Sequence, residues 1–160
     1  MARGSRQLPE VGSRAPEFRL PRLDGGEIGL EEITAQGPAL LAFFKISCPV
    51  CQLTLPFLER VHQAGKLAVY GISQNDAGDT RDFAQRYGVT FPMLLDSEKT
   101  GYAASNAYGI SSVPTIFAIG RDGSIKQVTE GWRKQEMAAL GAIGPDDRVP
   151  EWKAGRCSRN

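Results

Sequence analysis

Two cysteines three positions apart, in Cys48-Pro49-Val50-Cys51, are the residues of this chain best suited to chemistry. They follow an apolar run, Ala39 to Phe44, that reads as a buried strand, and precede Gln52 to Ala64, which reads as a helix. At a helix start the first sulfur faces unpaired backbone N–H groups and the positive end of the helix dipole, and both favour a thiolate. The second thiol, one turn inward, is shielded. Spaced this way the pair can close a disulfide through a small ring, so the pattern points to dithiol–disulfide exchange. In that chemistry Cys48 attacks a partner's disulfide, and Cys51 resolves the mixed disulfide and frees the reduced partner. A metal half-site is a poor alternative, because structural zinc wants four close ligands and only His62 and Cys157 remain to complete a set. No metal and no cofactor is expected.

The neighbours of the pair set its reactivity. Pro49 sits in the first helical turn, where its missing N–H costs little, but it removes one donor to the thiolate. Val50 brings no charge. The expected Cys48 pKa is therefore below the free value of about 8.5 but not near 3.5, which suits a reducing or intermediate pair rather than a strong oxidant. Lys45 and Thr54 are candidate modulators: Lys45 if its ammonium reaches the sulfur, otherwise as a solvated side chain at the strand's end. His62, the only histidine, lies about 16 Å further along the helix at ~1.5 Å per residue. It reads as a surface residue. Cys157 lies in a polar tail between Arg156 and Arg159. It could relay disulfides as a third thiol, but the simpler reading is an exposed thiol without a role.

At 160 residues the chain is most simply one domain with a sizeable core. A net charge of +1 offers no electrostatic case for nucleic acid or an anionic membrane, and no apolar run approaches a membrane span. The first residues carry Arg3, Arg6 and Arg14 without an apolar signal core, so a cytoplasmic protein is expected, or an exported one if a leader has been removed, and a monomer. Three cysteines fit one redox pair and a spare thiol in a reducing compartment.

Residues 1–15 read as a flexible arm, 16–144 as the folded domain and 145–160 as a loose polar tail. Phe18 to Leu20 and Glu27 to Leu30 flank Asp24-Gly25-Gly26, a hairpin signal. Leu53, Phe57 and Val61 give the cysteine-bearing helix a buried face, Pro56 should kink it, and Gly65 ends it. Leu67 to Ser73 reads as a second strand, parallel to the first. A helix over Asp79 to Tyr87, a short strand over Phe91 to Leu95 and a helix over Thr100 to Tyr108 follow. Thr115 to Ile119 and Ser124 to Thr129 flank a second hairpin turn, and Lys134 to Ile143 is the last helix. Trp132 should pack that hairpin against it. Tyr70, Phe83 and Phe117 read as core. The fold class is α/β, with a mixed central sheet covered by helices on both faces.

Several motifs together resemble the thioredoxin superfamily, specifically the redoxin and TlpA/ResA-like thiol–disulfide oxidoreductases. They are Phe43-Phe44 through Cys48-Pro49-Val50-Cys51, Pro56, Tyr87-Gly88-Val89-Thr90-Phe91-Pro92, Tyr108-Gly109-Ile110, Val113-Pro114-Thr115 and Arg121-Asp122-Gly123. The resemblance implies a thioredoxin-like fold with an N-terminal β-hairpin and a helix–strand insertion around Asp79 to Leu95. It implies a cis peptide before Pro114 that presents the Val113 backbone to an extended segment of the partner. Val113, Pro114, Pro49 and Val50 would then form the substrate-binding surface. The implied partners are a protein disulfide and a thiol electron donor.

The chain departs from the family in three places. Thioredoxin has Trp before its first cysteine and a buried acid six residues before it, where this chain has Ser47 and Ala42. TlpA/ResA-like proteins often carry Glu three residues after the second cysteine, where this chain has Thr54. Neither place offers a carboxylate to take the proton of Cys51, and Glu59 is too far along the helix. A thiol peroxidase is the first rival function, but peroxiredoxins carry Pro and Thr where Leu41 and Lys45 stand. A redox-independent peptide-binding module using the groove beside Ser112-Val113-Pro114 is the second.

Overall fold

In the computed structural model, residues 7–150 and 156–160 are described. A hairpin of β1 (Arg19–Pro21) and β2 (Glu27–Gly29) leads into α1 (Leu30–Ala35), β3 (Ala39–Phe44) and α2 (Pro49–Ala64). There follow β4 (Ala68–Ser73), α3 (Ala77–Tyr87), β5 (Met93–Leu95), a 3-10 turn (Glu98–Thr100) and α4 (Ala103–Ala107). The chain closes with β6 (Ser112–Val113), β7 (Thr115–Ile119), β8 (Ile125–Glu130), α5 (Lys134–Ala139) and β9 (Cys157–Ser158).

The central sheet has the order β5-β4-β3-β7-β8. β3, β4 and β5 run parallel, and β7 and β8 add antiparallel strands on the other side. β3 lies in the middle with all six residues buried, as a strand covered on both faces requires. Adjacent strand residues point to opposite faces. Phe44 meets Phe83 of α3 at 5.1 Å between ring centroids, while Phe43 meets Tyr108, just past α4, also at 5.1 Å. The sheet is thus covered by α3 on one face and by the end of α4 on the other. Each such ring contributes about 1.5–3 kcal/mol by leaving water. Side chains on, or just before, the strands beside β4 crowd its surface so closely that a side chain at Gly71 would collide with Met93 and press on Phe91 and Phe44. Among the described residues no helix is long and apolar enough to cross a membrane.

α2 starts at Pro49 and ends at Gly65, whose φ of 72° is the left-handed cap that glycine adopts without cost. Its innermost stripe is Cys51, Leu55 and Leu58, with Thr54 and Val61 beside it. Leu53 and Phe57, expected at its centre, flank the stripe and are half-buried. The reason is angular: the cysteine at the first turn must face the sheet, which rotates Leu53 and Phe57 to the side. Trp132, expected between the last hairpin and α5, is fully buried and also lies against Phe57 of α2 at 5.2 Å. Tyr70, Phe83 and Phe117 are buried as expected.

Other departures have local causes. α1 is six residues long, too short to show a period, and is capped by the Glu32 carboxylate accepting from the Gly29 N–H (3.3 Å). The helix expected over Thr100 to Tyr108 splits because Gly101 and Tyr102 both adopt left-handed backbone (φ 64° and 54°). Buried Asp96 ties the two pieces together, accepting from Thr100 Oγ1 (2.8 Å), Ala104 N (3.2 Å) and Ser105 N (2.6 Å). The arm expected to be flexible is fastened over its last residues: Gly12 N donates to Ile125 O, Ile125 N to Ser13 O and Ala15 N to Gly123 O, all within 2.9 Å. The open edge of the β8 hairpin supplies those partners. Residues 1–6 lie outside the described residues.

Candidate redox site

The loop between β3 and α2 is held by its backbone. Ile46 N donates to Asn75 Oδ1 (3.0 Å), and Ile46 O accepts from Gln52 Nε2 (3.0 Å). Gln52 reaches back from the first turn of α2, and Asn75 comes from the end of β4. Cys48 follows as the cap residue of α2, in extended backbone (φ −88°, ψ 116°), its carbonyl accepting from Gln52 N (3.0 Å). Pro49 is exposed and Val50 half-buried at the head of α2, next to the cysteine in sequence. Gln52 and Asn75 carry no sequence signal for this task, because their partner is a single backbone unit in a loop.

The second wall is the turn before β7. The Val113–Pro114 peptide is cis. The Val113 carbonyl oxygen lies 3.7 Å from Cys48 Sγ. Thr115 Oγ1 donates to Ser112 O (2.8 Å) and Gly131 N to Pro114 O (2.8 Å), holding the turn from both sides. The topology therefore brings Val113 and Pro114 to Cys48, as expected.

Cys48 itself differs from expectation. Its sulfur is bonded to Cys157, with the two Cα atoms 5.9 Å apart, while Cys51 is a free thiol. Cys48 is fully buried rather than open to a partner. Cys157, expected as an exposed free thiol, is instead bonded and only partly exposed, and within the stretch expected as a loose tail residues 157–158 form a strand, while residues 151–155 lie outside the described residues. The tail returns as β9 and pairs antiparallel with β6, Cys157 opposite Val113 and Ser158 opposite Ser112. The physical reason is the unpaired backbone of Ser112 and Val113, which any extended segment can complete. A two-residue strand among charged side chains has no periodicity by which sequence could reveal it.

Cys51 is buried one turn into α2. Burial pushes its thiol up to about 12, against a smaller pull from the Lys45 backbone and the Lys45 charge. Lys45 is half-buried and acts on Cys51. Thr54, the other expected modulator, is buried and donates its hydroxyl to Val50 O (2.7 Å). Glu59 has structural work elsewhere. Its carboxylate accepts from Thr90 N (2.8 Å), Thr90 Oγ1 (2.5 Å), Phe91 N (3.2 Å) and Gln63 Nε2 (2.7 Å). Burial works against its charge, yet these hydrogen bonds outweigh it and hold its pKa below the ordinary carboxylate value.

The fold and this site define a thioredoxin-like protein with a cysteine pair at the head of the first long helix and a cis-proline turn beside it. Residues 11–128 match the AhpC/TSA family, and the chain belongs to that family. It is 31% identical over 136 residues to the thiol-disulfide oxidoreductase ResA of Halalkalibacterium halodurans, covering 82% of this chain and 75% of that one. Among solved structures it resembles the thioredoxin domain of a thiol-disulfide oxidoreductase from Bacteroides vulgatus, with a TM-score of 0.73 and 19% identity over 83% of this chain and 96% of that one. A peroxidoxin from Mycobacterium tuberculosis superposes with a TM-score of 0.68 and 20% identity, covering 86% of this chain and 99% of that one. These two likenesses establish the fold alone. Because the fold carries both chemistries, the site must decide between them.

Proposed function

We propose that this chain is a thiol–disulfide oxidoreductase acting on protein disulfides, with Cys48 attacking and Cys51 resolving. One observation carries the reading: Cys48 is joined by a disulfide to a cysteine on an extended strand that pairs with Val113. A mixed disulfide with a partner protein needs the same arrangement, with a partner's strand in place of β9. The chemistry balances in two steps. Cys48 thiolate attacks one sulfur of the partner disulfide and the other leaves as thiolate, taking up a proton. Cys51, deprotonated, then attacks Cys48 Sγ, closing Cys48–Cys51 and releasing the partner's second thiol. A thiol donor of the cell would return the pair to the dithiol.

The similarity to a relative named thiol-disulfide oxidoreductase supports this reading. The peroxidase reading is weaker: Leu41 and Lys45 stand where peroxiredoxins carry Pro and Thr. The test is reduction of insulin disulfides with dithiothreitol as donor. Cys48→Ser should abolish it, and Cys51→Ser should trap a mixed disulfide with insulin. Failure to trap any thiol partner would count against the assigned roles. Partner binding that survives replacement of both cysteines by serine, with no exchange activity in the parent, would favour the binding module. A redox titration in glutathione buffers sets direction: about −230 to −280 mV for a reductase, about −120 to −180 mV for an oxidant or isomerase.

A further inference from the structure

Resting on that reading, we propose that Cys157 is a third redox thiol, carried on a tail strand that occupies the partner-docking edge and closes the site by a disulfide to Cys48. The bond is one element of a docked segment. Arg159 N donates to Ser111 O (3.4 Å), extending the β6–β9 pairing. The Arg159 guanidinium lies over the Tyr102 ring (5.4 Å) and donates to Asn106 Oδ1 (2.9 Å) and Ile110 O (3.3 Å). Asn160 N donates to Gln74 Oε1 (3.0 Å), and Asn160 Nδ2 to Gln74 O (3.0 Å). Gln74 is buried and preset for this, its own amide donating to Ser105 Oγ (2.9 Å).

The route to the site is also guided. Asp147 pairs with Arg60 of α2 (2.5 Å), and Pro150 O accepts from Trp132 Nε1 (3.0 Å). Asp147 and Pro150 thus fasten the chain that leads to the tail strand against α2 and Trp132. A thiol carried on the same chain acts at an effective concentration on the order of millimolar. A partner at micromolar concentration meets a site already occupied.

Opening needs no external oxidant or reductant. Cys51, deprotonated, attacks Cys48 Sγ. The Cys48–Cys51 bond forms, the Cys48–Cys157 bond breaks, and Cys157 leaves as thiolate and takes up a proton. One disulfide is exchanged for another, and the tail is held from then on by its non-covalent contacts. The buried, protonated state of Cys51 makes this step slow near neutral pH, so the closed form is long-lived.

The test is disulfide mapping of the full chain. Reduced protein is treated with oxidised glutathione, quenched in acid, alkylated and digested, and the cysteine pairs are read by mass. We expect a Cys48–Cys157 pair in the wild type, its accumulation in Cys51→Ser, and its replacement by Cys48–Cys51 in Cys157→Ser. Cys51→Ala serves if serine unfolds the buried position. Arg159→Ala keeps all three cysteines and should lower the Cys48–Cys157 share several-fold. A wild type yielding only Cys48–Cys51, with Cys157 alkylated throughout, overturns the proposal, as does an Arg159→Ala share equal to wild type. Insulin reduction separates this from the functional reading. A chain that maps Cys48–Cys157 but never reduces insulin keeps the tail bond and loses the oxidoreductase. A chain that reduces insulin as fast as its Cys157→Ser variant, and maps no tail bond, keeps the oxidoreductase and loses the tail.

Discussion

Cys51 and Cys157 compete for one sulfur and arrive by different routes. Cys51 comes on the same helix as Cys48, placed by three residues of local geometry and buried with the core. Cys157 comes from 109 residues away, placed by a two-residue ladder and a few polar contacts, and remains partly exposed. The first route is cheap in entropy, because the helix already fixes the backbone. The second must order a tail, at roughly 1–2 kcal/mol per residue before any contact repays it. The helix nevertheless leaves Cys51 protonated, whereas the tail delivers its sulfur in an extended strand, the form a partner would take. On the proposed reading, one cysteine serves resolution and the other occupancy.

The strongest way to break this comparison is to remove the shared sulfur. Cys48→Ser should reduce insulin turnover to the uncatalysed background and leave Cys51 and Cys157 both alkylated in a mass count. A Cys51–Cys157 bond in that variant would show that the tail does not depend on Cys48 for its position.

Next in size is the pH dependence of Cys51. With its pKa pushed up to about 12, its thiolate fraction should rise tenfold per pH unit through pH 8 to 11. Its alkylation rate in the Cys48–Cys157 form should follow. A rate that levels off near pH 8.5 would mean a solvated thiol and would erase the contrast between the two cysteines. The same raised value favours the folded state below the ordinary thiol pKa. That contribution is lost as pH climbs toward 12, on the order of 1.4 kcal/mol per unit.

Glu59→Gln loosens the helical route at its far end. Loss of charge-assisted bonds to Thr90 and Phe91 should cost about 1.5–3 kcal/mol in urea unfolding near neutral pH. Because its folded pKa is depressed, the wild-type advantage is present above the unfolded carboxylate value. It should shrink as pH falls through the folded value. A gap between the variants that stays constant down to pH 2 would assign the cost to packing instead. Trp132→Phe should be the mildest change. It keeps a ring against Phe57 but loses the N–H to Pro150 O, about 1 kcal/mol in a thermal melt. It should also lower the share of tail-bonded Cys48. An unchanged share would place the control of the tail wholly at Arg159 and Asn160.

The strands that carry the site were legible because they are continuous apolar runs. β3 and β7 have the bounds that Ala39 to Phe44 and Thr115 to Ile119 suggest. The head of α2 was legible from the Cys-Pro-Val-Cys spacing and its end from Gly65. Its buried stripe was legible only at Val61: Leu53 and Phe57 share its helical spacing, but the sheet selects the neighbouring stripe that contains Cys51. The break before α4 was hidden for a related reason. Asp96 is one carboxylate among many in sequence, and only its burial among the amides of Ala104 and Ser105 makes it a cap.

By itself the sequence determined a helix beginning at Cys48 and a second thiol one turn behind it. Both follow from short-range rules, dipole and cap and helical pitch, whereas the meeting of the Val113-Pro114 turn with them was implied by the family resemblance. Only the tertiary structure decided which sulfur Cys48 bonds. That choice rests on an open backbone edge at Ser112 and Val113, on Gln74, Tyr102 and Asn106 standing where Arg159 and Asn160 can reach them, and on Trp132 and Arg60 guiding residues 147 and 150. These groups come from several elements distant in sequence, and no local pattern records a meeting that exists only once the sheet has folded.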